Sequence, residues 1–208
     1  MSKNIKDNDT KNGVNDNNFI KGSAEIDLNS SISGTFKIHS DVKIKYNSVI
    51  INAEIGRGSE VVSSYIEDSK VGENCKIGPY AHLRPNSVIL DGAKIGNFVE
   101  IKNSIIGKNT KVNHLAYIGD AEVGENCNIG CGVIFCNYNG KTKNKIKIGN
   151  NCFIGSNCNL IAPLNIADGT YICAGTTVVN DTNKNDFVIG RPYAIVKPNR
   201  ATKYFSKE

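Results

Sequence analysis

The chain has 208 residues, a net charge of +5, 39% hydrophobic residues and no Trp, so its core must be built from Ile, Val, Leu, Ala and Cys. The charge is mildly basic and lacks a Lys/Arg-rich block, which argues against a nucleic-acid partner. No apolar run approaches the roughly eighteen residues of a membrane span, and the first residues lack a signal peptide's apolar stretch; a cytoplasmic, soluble protein is expected.

Residues 1–18, MSKNIKDNDTKNGVNDNN, are almost wholly polar. Such a stretch buries too little apolar area to offset its ordering entropy, and a disordered tail is expected. From about Ile26 the chain repeats every six residues, first loosely through Ile66 and then strictly. Eighteen repeat starts run from Val71 to Val178; seventeen are Ile, Leu or Val, and nine are followed by Gly. The fifth position is small or β-branched, as at Cys75, Ala81, Ser87, Ala93, Val99 and Thr110. A six-residue period suits neither an amphipathic helix nor an alternating hairpin strand. It suits an all-β solenoid in which each hexapeptide forms one flat face and three faces close a triangular coil, spanning residues 19–181. Coils of eighteen residues stack through parallel pairing, so stability is close to a sum over neighbouring coils.

The period slips to five at Ile50–Ile55, Val61–Ile66, Ile66–Val71, Ile101–Ile106 and Ile118–Val123, which corners can absorb. One larger interruption, 135–147, predicts a loop that leaves the prism, and such excursions often carry function. Residues 182–208 leave the repeat as a C-terminal arm.

Seven cysteines lack any C-x-x-C pair, and an odd number fits a disulfide framework poorly. Cys75, Cys127, Cys152 and Cys158 occupy the inward fifth position and are expected to pack as small hydrophobes; Cys131, Cys136 and Cys173 fall elsewhere. The His residues at 39, 82 and 114 lack ligand spacing, so no metal is expected.

Polar residues that the repeat does not require gather in the second half: Arg84 after Leu83, Lys102 after Ile101, His114 and Tyr117 in VNHLAYIGD, and Asn128 before Ile129. A lone basic residue on a solenoid face is usually just solvated, and His39 and His82 are read that way. Residues 84 and 102, one coil apart, should stack on one face, with His114 and Tyr117 at the next step. That column suits a phosphate-binding wall with a base beside it.

The stretches GPYAHLRPNSVILDGAKIGNFVEIKNS, KVNHLAYIGDAEVGENCNIGCGVIFCNYNGKTK, IGSNCNLIAP and AGTTV resemble the C-terminal half of the bifunctional N-acetylglucosamine-1-phosphate uridyltransferase/glucosamine-1-phosphate N-acetyltransferase family. The resemblance runs from about Val71 to Arg191. It implies a left-handed coil, a homotrimer with active sites between subunits, and acetyl-CoA as co-substrate. It further implies His114 as general base, Arg84 and Lys102 on the phosphate, and Tyr117 and Asn128 on the sugar. Asn137 and Tyr138 would meet the acetyl end; Cys131, Ser156 and Ala174 would line the cofactor channel; Arg191, with Lys143, would contact the cofactor's phosphates. Cys131 stands where the family usually has Ala, and nothing before Val71 resembles the uridyltransferase domain.

The leading expectation is therefore an acetyltransferase acting on glucosamine-1-phosphate. Two alternatives stand beside it: transfer to a nucleotide-linked or other amino sugar for a surface polysaccharide, and a non-catalytic trimeric scaffold for a separate uridyltransferase. A scaffold would need none of Arg84, Lys102, His114, Tyr117, Asn137 and Tyr138.

Overall fold

In a computed structural model, residues 18–205 are described together with the backbone of Ser2–Asn4. Short parallel strands of two or three residues wind into a left-handed three-sided prism. One face is a nine-stranded sheet running from Phe19–Ile20 to Leu164–Ile166. The other two faces belong to one eighteen-stranded sheet. They are joined by two nine-residue strands, Lys94–Lys102 and Lys111–Gly119, which pass unbroken round the corner between them.

The hexapeptide makes these faces because two extended residues are followed by a corner. The first-position aliphatics point inward: Ile77, Leu83, Ile89, Ile95, Ile101, Ile106 and Ile118 are all at most 1% exposed. Each such side chain contributes about 1.5–3 kcal/mol relative to an exposed one. The corners need a left-handed residue, and Asn supplies more of them than any other type; Asn74, Asn109, Asn126, Asn151 and Asn157 have φ between 54° and 57°. Asn tolerates that region because its short carboxamide finds local hydrogen bonds. Register is held coil to coil, for example Ile77 beside Ile95 and Ile95 beside Val112. Cys75, Cys127, Cys152 and Cys158 are buried in this core, as is Cys173; Cys136 is half-buried and Cys131 exposed.

The coils are not uniformly eighteen residues. They measure sixteen from Val61 to Ile77, eighteen from Ile77 to Ile95 and seventeen from Ile95 to Val112, because a corner can drop a residue without turning a face over. The prism also runs past the expected boundary at 181: Phe187–Val188 pairs with Tyr171–Ile172. The arm proper follows, exposed and without regular structure, to a short helix at Thr202–Phe205. The expected loop at 135–147 begins and ends inside strands, Ile134–Cys136 and Ile146–Ile148, so the true excursion is 137–145. Of the expected disordered tail, only Ser2–Asn4, antiparallel to Glu25–Asp27, and Asn18 are among the described residues. No helix among the described residues is long and apolar enough to cross a membrane.

Candidate active site

The two long strands position the candidate base. Asn97 and His114 lie directly opposite one another where those strands turn the corner. His114 is exposed, and its Nδ1 is 2.8 Å from Asn97 Oδ1. A carboxamide oxygen only accepts, so the bond selects the tautomer with its proton on Nδ1 and leaves Nε2 as the acceptor. Asn97 was not singled out from sequence, although it begins the NFVE motif.

The same corner carries bulky left-handed residues on three successive coils. Tyr80 (φ 58°), Phe98 (φ 58°) and Leu115 (φ 37°) are each more than half exposed. The Tyr80 and Phe98 rings stack at 5.6 Å. Bulky side chains in this region of φ are costly and gather where function fixes the backbone.

On the face after the corner, parallel pairing sets Glu100 beside Tyr117 and Lys102 beside Gly119, with Leu83 beside Ile101 one coil back. Arg84 Nη1 donates to Glu100 Oε1 at 2.7 Å. Both side chains are over a third exposed, so the pair is worth only about 0–1 kcal/mol and a dianion can compete for the guanidinium. Lys102 is half-buried. Its ammonium is held below the ordinary lysine range, first by the Lys143 side chain against it, then by burial and by Arg84, while Asp120 opposes the shift. Three cations thus converge with one carboxylate already engaged, the electrostatics of an anion site. Lys143 reaches this cluster because the excursion folds back, Tyr138 bridging antiparallel to Lys143. The sequence resemblance puts Lys143 with Arg191 on the cofactor's phosphates; in this structure its side chain lies against Lys102.

Asn137 opens the excursion and is 6% exposed. Its amide and the Tyr117 hydroxyl meet over Gly119. A Cβ on that glycine would lie 2.5 Å from Tyr117 Oη and 2.7 Å from Asn137 Nδ2, so any larger residue would force one of these side chains to shift. Tyr138 is exposed, its hydroxyl donating to Gly140 O at 2.7 Å.

Past His114, the corner continues with small residues. Cys131 O accepts from Asn157 N–H and Ser156 O from Gly175 N–H, both at 2.8 Å. Arg191 Nη1 donates to Ala174 O at 2.8 Å, so Cys131, Ser156, Ala174 and Arg191 fall along one edge. Asn128 stands apart, on the face before the corner, between Lys111 and Phe153. Among the described residues no three His, Cys, Asp or Glu side chains could hold a metal ion.

Several known proteins resemble this chain. A family model described as GMPPB C-terminal domain matches residues 67–139. The bifunctional protein GlmU of Clostridioides difficile is 42% identical over 214 residues, covering 94% of this chain and 47% of that protein. GlmU of Caldicellulosiruptor saccharolyticus is 51% identical over 144 residues, 69% of this chain and 31% of that one. The chain thus spans less than half the length of these relatives. The solved structure of LpxA from Acinetobacter baumannii aligns with a TM-score of 0.50 at 18% identity, over 79% of this chain and 68% of that one, a likeness of fold. The chain is a homologue of the bifunctional GlmU proteins over part of their length, built as a left-handed parallel β-helix.

Proposed function

We propose that this chain is an acetyl-CoA-dependent N-acetyltransferase acting on an amino sugar phosphate, with glucosamine-1-phosphate as the acceptor. The observation that carries the reading is the contact of His114 Nδ1 with Asn97 Oδ1, set between a cluster of three cations and an edge of small residues ending at Arg191. A protonated amine cannot attack a thioester. His114 Nε2 takes a proton from the sugar amine, whose nitrogen then attacks the thioester carbonyl carbon; the C–S bond breaks and the thiolate leaves, to be protonated. Asn97 holds the imidazole in orientation and disperses the charge it gains. Arg84, Lys102 and Lys143 bind the phosphate as a dianion, and Tyr117 orients the sugar. Asn137 and Tyr138 face the acetyl group, whose oxyanion needs a hydrogen-bond donor. Cys131, Ser156 and Ala174 present a narrow edge to the pantetheine, with Arg191 beyond them for phosphate. Asn128, across the corner, would contact a sugar held between two copies of the chain.

The proposed working form is a cytoplasmic homotrimer, supported by the exposed Tyr80–Phe98–Leu115 ridge beside the base, since cyclic closure buries such ridges. A separate uridyltransferase is the proposed partner for the following step.

The test is thiol release from acetyl-CoA with glucosamine-1-phosphate, glucosamine, galactosamine-1-phosphate and UDP-linked amino sugars. Release with glucosamine-1-phosphate, lowered at least about a hundredfold by His114→Ala, is expected. Release only with a UDP-linked sugar would replace the acceptor, and no release with any would favour a scaffold.

A further inference from the structure

Asp120 lies in the GDA segment and has no place in the chemistry above. It is 8% exposed and sits at a corner with φ 52°. Its backbone N–H donates to Lys102 O at 3.1 Å, and its carbonyl accepts from Ile146 N–H at 3.3 Å. Its carboxylate is shared between two carboxamides: Asn103 Nδ2 at 2.6 Å from Oδ1, and Asn137 Nδ2 at 2.5 Å from Oδ2. Asn137 in turn accepts Asn144 N–H at 2.7 Å. One residue therefore grips the outgoing root of the excursion through its side chain and the returning root through its backbone.

We propose that Asp120 is a positioning residue that clamps the 137–145 excursion and sets the orientation of the Asn137 carboxamide. A carboxylate only accepts, so Asn137 must turn its NH2 toward Asp120 and its Oδ1 away. Asn137 is too buried for water to replace the bond, and losing the acceptor leaves an unpaired buried donor. Among the described residues no other hydrogen bond fixes which way that amide faces. The excursion carries Tyr138 and Lys143, so the clamp also fixes their distance from Tyr117 and Lys102. This inference rests on the acetyltransferase reading for its kinetic consequence but not for the clamp itself.

The substitutions Asp120→Ala and Asp120→Asn separate the hydrogen bonds from the charge. In Asp120→Asn the new carboxamide oxygen still accepts from Asn137, while its NH2 meets the exposed Asn103, which is free to turn its oxygen inward. In Asp120→Ala the acceptor is gone. Hydrogen exchange of the full-length protein is expected to show the Asn144 and Ile146 amides at least about tenfold less protected in Asp120→Ala, relative to strand amides such as Ile129 and Ile154, and close to wild type in Asp120→Asn. The KM for acetyl-CoA is expected to rise about tenfold in Asp120→Ala and to recover in Asp120→Asn. Equal loss of protection in both variants would overturn the clamp in favour of the charge, and unchanged protection in Asp120→Ala would overturn it outright. If the wild-type protein transfers no acetyl group, the exchange comparison still decides the clamp, and only the acetyltransferase reading fails.

Discussion

Gly119→Ala adds one methyl group at the place where the Tyr117 hydroxyl and the Asn137 amide converge. The glycine's φ lies outside the left-handed region, so the backbone accepts alanine and the effect is steric. The new Cβ would stand 2.5 Å from Tyr117 Oη, 2.8 Å from its Cζ and 2.7 Å from Asn137 Nδ2, against ordinary contacts of 3.4–4 Å. One group must retreat by about 1 Å, and Asn137, buried and held by Asp120, has less room than the half-buried Tyr117. A clash of this kind costs about 1–3 kcal/mol of stability. In a chain of this size each kcal/mol lowers Tm by about 2–4 °C. A displacement of about 1 Å at a positioning group costs on the order of a hundredfold in turnover. Thermal melting alongside steady-state thiol release measures both. A variant that melts a few degrees lower yet keeps kcat/KM within twofold of wild type would refute the placement of Tyr117 and Asn137 at the reacting groups.

Asn97→Leu removes the acceptor that selects the His114 tautomer; kcat should fall about ten- to a hundredfold with KM for both substrates little changed, and an unaltered pH–rate profile would refute the role. In the folded chain Lys102 titrates below the ordinary lysine value of 10.5 because Lys143 stands against it. Between the lowered and the ordinary value the folded state binds fewer protons than the unfolded, so the repulsion is present at low pH and stability rises with pH through that window. Lys143→Ala should move the Lys102 pKa upward in an NMR titration, and an unmoved titration would separate the two side chains.

The prism was legible in the sequence because its code is one residue deep: an aliphatic at the first position and a small residue at the fifth point inward whatever the coil. The Arg84–Lys102 stack was legible because the coil between them does measure eighteen residues. The Asn97–His114 bond was not, since they are seventeen apart and a uniform eighteen-residue coil would misalign them. The contact of Lys143 with Lys102 was not legible because Lys143 lies in an excursion, where no period tells which coil a side chain returns to. Asp120 was hidden for a related reason: its partners at 103, 137 and 146 meet only after the corner and the excursion have both closed. The prism's extension to Val188 was obscured by the polar stretch 180–186, although Val188-Ile189-Gly190 carries the aliphatic-plus-glycine signal one place out of phase.

Parallel stacking also makes the prism a ruler. Along one face, Lys76, Lys94, Lys111, Asn128, Phe153, Tyr171 and Phe187 follow in unbroken register, six steps from the coil that holds Arg84 to the one that precedes Arg191. At about 4.8 Å per step that is a span of about 29 Å. The two guanidinium groups lean toward each other, Arg84 onto Glu100 and Arg191 onto Ala174, so this backbone span is an upper bound on the gap that a molecule touching both must bridge. Adding or removing a whole coil changes the length by one increment, whereas gaining or losing a residue at a corner leaves it untouched. The sequence can thus drift in length at its corners while the gauge between its two ends stays fixed.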